Sequence, residues 1–510
     1  MCGIAVVWGR PDLTLAEVLL DRLRHRGPDE AGRVVIGPGV LAQARLAIVD
    51  LATGRQPILN ERGDLAVVFN GEIYNHLELR RELAGRHEFR TCSDTEVLLH
   101  LYEEVGEDLL GRLDGMFALA LAGPAGLLLA RDPLGIKPLY YGRAGDLVLA
   151  ASELKAFPPM DELRALPAGH FLFLPANSAP GRLPLPKPRA FACAAQVVPW
   201  LAPPPLPEIE SGIRHRLERA VVKRLMSDVP VGVFLSGGLD SSLVAALMRP
   251  HVPRLLSFTA GMRGAPDLSA ARAVAHLLGT EHHELIYDAA EVEAALPAVI
   301  RALESFDAPL VRSAVPNYFL ARLAARHVKV VLTGEGADEL FAGYSYLRPI
   351  ASGGGLREEL ERITRDLQHT NLQRCDRLSM AWGLEARVPF LDLDLLRYVG
   401  RLPAGLLAPE PGGREKGLLR RACADLLPEA ILQRAKLKFA EGAGSSELVA
   451  TRLALVDPAV ADELDEPFVQ NLHSAEERVY HRIWRSQFGD QIPLELVGRT
   501  RDPRAALPAV

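Results

Sequence analysis

The chain is 510 residues long, more than one hydrophobic core accommodates, so two or three domains are expected. Hydrophobic residues make up 48% and charged residues 24% of it, the balance of an ordinary globular protein, and a formal net charge of -6 gives no electrostatic case for nucleic acid or an anionic membrane surface as partner. Five scattered cysteines (Cys2, Cys92, Cys193, Cys375, Cys423) form no CxxC pair and no disulfide framework. With no apolar run of the about 18 residues a membrane helix needs, and no basic-then-apolar leader, a cytoplasmic location is expected.

The chain opens "MCGIAVVWG". Removal of the initiator would leave Cys2 carrying both a thiol and a free α-amino group, which titrates near working pH and can take the thiol's proton directly or through one water. That is the arrangement of an N-terminal nucleophile. Taken alone, Cys2 reads equally as a small apolar residue starting a buried strand. Further β-rich runs follow, "LAVVFNG", "MFALALA" and "LVLAAS", punctuated by Gly and Pro and interrupted by helical stretches in "LRRELAGR" and "DTEVLLHLYEEVG". This pattern predicts an α+β sandwich over residues 1–174.

Ten prolines lie from Pro175 to Pro207, where both helices and strand ladders are discouraged, so residues 175–207 are expected to link two domains. Beyond, over residues 208–510, the runs "VPVGVFLS", "RLLSFTAG" and "VKVVLTGEG" alternate with amphipathic helical stretches, the pattern of a parallel sheet covered by helices, and from about Leu356 the sequence reads mostly helical.

The sharpest motif is "FLSGGLDSS", Phe234 to Ser242. A buried strand is expected to end at Leu235, two glycines to turn the backbone with N–H groups pointing inward, and Ser241 and Ser242 to open a helix. Such a loop cradles phosphate. It lacks the lysine of a Walker motif. It resembles instead the SGGxDS pyrophosphate loop of the N-type ATP pyrophosphatases, which split ATP between its α and β phosphates. In the first half, "RHRGPDE", "RLAIVD", "FNGEIYNH", "SDTEVLL" and "RDPLGIKPLYY" stand in the order found in class II glutaminases. With matches from Met1 to "RVYHRIWRSQF", the chain is identified as a member of the glutamine-hydrolysing asparagine synthetase family. The resemblance implies an Ntn-hydrolase-like αββα sandwich followed by an α/β domain of the ATP pyrophosphatase type. It further implies the small molecules glutamine, aspartate and ATP as partners, ATP being a substrate and Mg²⁺ the cofactor, and is compatible with a homodimer.

Glutamine presents a carboxylate, an α-ammonium and a scissile amide, so its pocket needs a cation, an anion and an oxyanion hole. Arg45 suits the carboxylate through a bidentate fork, and Asp94 the ammonium. Asn70 and the backbone N–H of Gly71 suit the oxyanion. By resemblance Glu72 and backbone groups of Ile48 and Val49 also contact glutamine.

In the second domain a departing pyrophosphate must be neutralised, for which Ser236, Gly237, Gly238, Ser241 and Ser242 offer hydrogen bonds. Asp240 and Asp338 suit Mg²⁺, which takes few carboxylates together with substrate phosphates. The resemblance implies adenosine contacts at Phe234, Ala260, Thr333 and Gly334 and a phosphate contact at Lys436. It also gives Glu335 a part in adenylate formation and attack by ammonia, for which a carboxylate can accept a proton. The stretch "MAWGLEARVPFLD", with Glu385 and Arg387, would suit a buried, paired surface near the contact between domains.

Departures fall where the acceptor acid would sit. Pro309 and Leu310 stand before Arg312 where family members often carry threonines, and Ala440 and Glu441 where Ser and Asp are common. Arg312 remains to hold an acceptor carboxylate. Relatives sharing both domains amidate other carboxylic acids, so an ATP-dependent amidotransferase acting on a sugar, peptide or secondary metabolite stays open beside asparagine synthesis. An intact Cys2 argues against β-lactam closure, and the pyrophosphate loop against a stand-alone glutaminase or a phosphoribosyl-transferring enzyme. A non-catalytic, ligand-binding paralogue would show broken site residues, and the main ones are intact.

Overall fold

Strand β1 (Cys2–Trp8) is buried along its whole length, which explains why the N-terminal runs are apolar throughout instead of alternating. In the computed structural model, which describes residues 2–176, 185–193, 197–409, 414–445, 472 and 474–500, the first half of the chain forms two antiparallel sheets. One has the order β10–β8–β9–β1–β3–β2, the other β12–β11–β7–β6–β5–β4. The strands are β2 (Glu30–Ile36), β3 (Gly39–Arg45), β4 (Ile58–Leu59), β5 (Ala66–Ile73), β6 (Gly115–Gly123), β7 (Gly126–Arg131), β8 (Tyr140–Ala144), β9 (Leu147–Ala151), β10 (Glu162–Ala165), β11 (His170–Pro175) and β12 (Arg189–Ala190).

Alternate residues of each strand serve different layers. Ile4, Val6 and Trp8 of β1 meet Ala66 and Val68 of β5 between the sheets. The intervening Ala5 and Val7 face outward with Ala16, Leu19 and Leu20 of helix α1 (Leu13–Asp21). On the far side Val67 and Phe69 of β5 pack under Leu79 and Leu83 of α2 (His76–Leu83) and Val97, Leu98 and Leu101 of α3 (Val97–Val105). The result is a four-layer αββα sandwich.

The second half contains one parallel sheet, β15–β14–β13–β16–β17, made of β13 (Val231–Phe234), β14 (Leu256–Met262), β15 (Glu281–Tyr287), β16 (Val330–Leu332) and β17 (Glu385–Arg387). Helices α4 (Leu206–Lys223), α5 (Leu239–Met248), α6 (Pro266–Leu278), α7 (Ala289–Leu303) and α8 (Ala308–Ala324) connect or cover it. From β13 the chain builds to one side through β14 and β15, then crosses back to add β16 and β17 on the other. The crevice beyond the carboxyl ends of β13 and β16 is therefore the topological switch point, where open α/β sheets bind ligands. Strand β13 ends at Phe234, one residue before the expected Leu235, and α5 starts at Leu239, which puts Ser241 and Ser242 in its first turn.

The proline-rich stretch is tied down where it is described. β12 pairs with β11, Phe191 stacks near Phe117, and Trp200 donates its backbone N–H to Arg401 O and packs edge-on against Tyr398. The outward face of the first sheet shares one continuous apolar core with the second half. Charged side chains cross the same boundary: Arg26 donates to Glu153 at 2.6 Å and to Asp376 at 2.9 Å, with all three buried. No helix among the described residues is long and apolar enough to cross a membrane.

Candidate active sites

Cys2 lies at the head of β1, opposite Arg45 of β3, and is 5% exposed. Its backbone N donates to Asn70 Oδ1 at 3.0 Å and its carbonyl accepts from Arg26 Nε at 3.0 Å. Burial pushes its thiol above the ordinary value. The amide of Asn70 is thereby oriented, and its Nδ2 is left buried with no hydrogen-bond partner, a donor held in reserve beside the thiol strand. Gly71 follows in β5, where an added Cβ would lie 2.0 Å from Met116 O of β6. Only glycine allows the two strands to approach this closely.

The Arg45 guanidinium, 4% exposed, pairs with Glu30 at 2.7 Å and donates to the carbonyls of Val49 (3.1 Å) and Asp50 (2.7 Å). It thus shapes the Ile48–Asp50 turn as well as offering charge. The second half of the chain braces the same turn, since Asp50 N donates to Asp228 Oδ2 at 2.7 Å and Asp228 N to Ile48 O at 2.9 Å. Asp94 accepts from Ile73 N at 2.8 Å, and burial raises its pKa. Glu72 faces the domain boundary, where Arg387 of β17 reaches it at 3.1 Å and holds Glu385 at 2.5 Å. Burial, reinforced by Glu385, pushes Glu72 well above the usual carboxylate range. Cys2, Arg45, Asn70 and Asp94 thus stand on linked segments: β1 pairs with β3, Cys2 bonds to Asn70 of β5, and Ile73 of β5 bonds to Asp94 in the turn before α3.

In the parallel-sheet half, Phe234, Ala260 and Thr333 stand at the carboxyl ends of the adjacent strands β13, β14 and β16. The loop after β13 is self-bonded: Gly238 N donates to Ser236 Oγ at 3.2 Å, Ser236 N to Ser241 Oγ at 3.2 Å, and the two hydroxyls lie 3.1 Å apart. Gly237 has φ +68°, and a Cβ there would strike Ala270 C at 2.4 Å. Ser242 Oγ is buried without a hydrogen-bond partner. Gly334 packs so tightly on α5 that a Cβ would come within 2.8 Å of Asp240 Cβ, which brings the β16 end onto the loop.

Asp240 and Asp338 approach each other through a lysine. Lys416 Nζ lies 2.6 Å from Asp240 Oδ2 and 2.6 Å from Asp338 Oδ1, and Lys436 pairs with Asp338. Burial opposes ionisation of Asp338, yet Lys416 and Lys436 hold it below the usual carboxylate range. Asp240 Oδ1 is buried with no hydrogen-bond partner. An acceptor oxygen left open beside two carboxylates that already share one cation fits a hard divalent ion bound with phosphates.

Two expected residues are engaged elsewhere in the chain. Glu335 pairs with Arg374 at 2.5 Å, which in turn donates to Asn317 Oδ1 at 3.1 Å. Arg312 is held by Glu476 of the C-terminal helix Ala475–Phe488 at 2.9 and 3.0 Å, so in this conformation an internal carboxylate occupies the fork expected for the acceptor acid. Several residues at these sites escaped sequence reasoning. Lys416, just before the helix Gly417–Ala422, and Arg434, in the irregular segment after the helix Glu429–Leu432 and donating to Ser236 O at 2.9 Å and Asp267 at 2.7 Å, lie among other Lys and Arg residues where no spacing singles them out. Glu339 adjoins Asp338, and burial followed by the charge of Asp338 pushes it up to about 7. Its partners Tyr344 (2.5 Å) and Asn371 (3.2 Å) come from further along the chain.

The glutamine amidotransferase domain family matches residues 1–171 and the asparagine synthase family residues 212–354 and 349–492. Over 522 residues the chain is 38% identical to asparagine synthetase [glutamine-hydrolyzing] 1 of Arabidopsis thaliana, covering 96% of this chain and 87% of that protein. It is 38% identical over 523 residues to asparagine synthetase [glutamine-hydrolyzing] of Sandersonia aurantiaca, covering 96% of this chain and 97% of that one. Among solved structures, the allosteric regulatory enzyme of purine biosynthesis matches 56% of this chain and 90% of its own at 17% identity and a TM-score of 0.34, too slight a likeness to bear on the argument. Matching relatives from end to end of both domains, the chain belongs to the glutamine-hydrolysing asparagine synthetase family.

Proposed function

We propose that this protein is a glutamine-dependent, ATP-consuming carbon–nitrogen ligase that makes asparagine from aspartate. The observation that supports the reading most is the match of both domain families in one chain that covers 97% of the length of a glutamine-hydrolysing asparagine synthetase. The division of labour follows the domains proposed from the sequence, residues 1–174 and 208–510.

In the first domain the Cys2 thiolate attacks the side-chain carbonyl of glutamine. Its proton passes to the Cys2 α-amino group once Met1 is removed, and from there to the leaving nitrogen. The negative oxygen of the tetrahedral intermediate is held by Asn70 Nδ2 and the N–H of Gly71, donors fixed before the reaction begins. Ammonia departs, leaving a thioester that water hydrolyses to glutamate and free thiol. Arg45 binds the glutamine carboxylate and Asp94 its ammonium, with Glu72 and the backbone of Ile48 and Val49 completing the pocket.

In the second domain the β-carboxylate of aspartate attacks the α phosphorus of ATP, displacing pyrophosphate into the Ser236–Ser242 loop and Lys436. Phe234, Ala260, Thr333 and Gly334 seat the adenosine. Asp240 and Asp338 would hold Mg²⁺, which supplies charge neutralisation for the phosphates. Ammonia then attacks the acyl carbon, AMP leaves, and Glu335 accepts the proton released. Aspartate binding at Arg312 requires Glu476 to yield the guanidinium.

The test is to incubate the pure protein with ATP, Mg²⁺ and glutamine in the presence of aspartate or a panel of other carboxylic acids. Asparagine, AMP and pyrophosphate are expected with aspartate, and oxygen-18 from its carboxylate in AMP. Release with another acid and none with aspartate would overturn the acceptor, while ADP and labelled inorganic phosphate would overturn the adenylate.

A further inference from the structure

A second group of reactive side chains lies on the helical layer outside the glutaminase pocket. Glu61, in the turn between β4 and β5, meets His87, in the loop after α2, and His100 and Glu103, one turn apart on α3; one ligand atom from each lies within 4.8 Å of the others. The rings of His87 and His100 stack at 4.6 Å. Both direct Nδ1 inward. Nδ1 of His87 is 3.5 Å from Glu61 and 3.8 Å from Glu103, and Nδ1 of His100 is 3.7 Å from Glu61 and 3.3 Å from Glu103.

These separations identify the geometry. Four ligands bound tetrahedrally to zinc at bond lengths of about 2.05 Å stand about 3.3 Å apart. Whichever Glu61 oxygen is taken, three nitrogen–oxygen pairs fall at 3.3 to 3.8 Å, close to that edge length, and all four atoms lie within 4.8 Å of one another, so an inward movement closes the shell. With neutral imidazoles the inner set carries two negative charges, which one divalent cation cancels.

The outer atoms are arranged to match. Nε2 of His87 meets Glu104 at 3.1 Å and Nε2 of His100 faces Glu96 at 3.7 Å. At His87 the carboxylate on the far nitrogen fixes the tautomer that presents Nδ1 as a lone pair, the common support of metal-bound histidine, whereas His100 Nε2 makes no hydrogen bond and Nδ1 of that ring lies 3.3 Å from Glu103 Oε2. Glu103 is anchored by its far oxygen, Oε1 being taken by Asn60 at 3.0 Å and Arg62 at 2.9 Å while Oε2 faces the histidines; Glu61 Oε1 accepts from Glu88 N at 2.7 Å on the side of His87, and Oε2 faces His100 at 3.7 Å. Phe89 closes over the His100 ring edge-on at 4.6 Å.

We propose that Glu61, His87, His100 and Glu103 form a structural binding site for a divalent cation of the zinc class. Two imidazoles and two carboxylates in a tetrahedral set suit Zn²⁺ and its spectroscopic substitute Co²⁺ better than Mg²⁺, which demands octahedral oxygen. The ion staples the turn before β5, the loop after α2 and helix α3. Glu96, the outer partner of His100, also receives the N–H groups of Arg90 and Thr91 at 2.8 Å, so the staple continues into the turn that carries Asp94.

The full-length protein, stripped with EDTA and dialysed, is titrated with Co²⁺. One equivalent is expected to give the intense visible bands of tetrahedral cobalt with no thiolate charge-transfer band in the near ultraviolet, and Zn²⁺ should displace it and raise Tm. In competition with a chromophoric chelator, His87→Gln and Glu61→Gln should each weaken zinc binding at least about tenfold. Asp240→Asn should leave the cobalt spectrum unchanged. Absence of the tetrahedral bands, a thiolate band, or unchanged affinity in a folded His87→Gln protein would each overturn the site and leave the cluster as an ion-paired network.

Discussion

Cys2 and Asn70 show how one backbone hydrogen bond orients a buried side-chain amide. The bond from Cys2 N to Asn70 Oδ1 fixes which face of the amide is left over, and the leftover Nδ2 is the buried donor. Cys2→Ala is expected to abolish synthesis from glutamine and to spare synthesis from added ammonium, measured as pyrophosphate release with each nitrogen source. Gly71→Ala is a harsher change, because its methyl meets the carbonyl of Met116 at 2.0 Å and β5 must move. It should lower Tm by several degrees and reduce glutamine hydrolysis by at least about a hundredfold, the cost of misplacing an oxyanion donor. Residues such as these were legible because their chemistry is local: a thiol at position two, an Asn-Gly pair, a glycine-rich loop. The partners that orient them were not. Asp228 on Asp50 and Lys416 between Asp240 and Asp338 come from distant segments, and nothing in the spacing of a single sequence reports that meeting.

Elements show the same division. Strands β1, β5, β6, β13, β14 and β16 announce themselves as apolar runs, whereas β17 is three residues of Glu385, Ala386 and Arg387, whose charges disguise a buried strand. Those charges pair with each other, and Arg387 also reaches Glu72 across the domain boundary, so burial and polarity do not conflict. The helix Leu393–Gly400 is a second case. Asp392 caps it, accepting from Asp394 N at 3.1 Å, and also pairs with Arg224 at 2.7 Å and Lys223 at 2.5 Å. Burial opposes its ionisation, but Arg224 and Lys223 win and hold its pKa at about 2. Because the folded value lies below the unfolded one, this stabilisation is present above about pH 4 and is lost as the pH falls toward 2. Asp392→Asn should therefore cost at least about 2 kcal/mol at pH 7, read by urea unfolding, and the gap to the wild type should narrow steadily below pH 4.

At the scale of the whole molecule the two halves share an apolar core that runs from the outer face of the first sheet into the second half. The proline-rich stretch is expected from its sequence to link two domains, and its described residues are bonded to both halves. Calorimetry is expected to give one unfolding transition with both activities lost together; two resolved transitions would mean that the shared core is too weak to couple them.

Arg26 and Arg387 carry a further consequence for anyone who would recombine this chain with a relative. Each is buried with a carboxylate from the opposite half, Arg26 with Asp376 and Arg387 with Glu72. A chimera joined within residues 175–207 keeps its domains intact and still breaks these pairs unless both donors supply the matching residue. A mismatch leaves Arg26 with Glu153 alone, or Arg387 with Glu385 alone, each short of one of its two buried carboxylates. With native stability only about 5–15 kcal/mol, compatible parents are chosen by inspecting these four positions and not by overall identity alone.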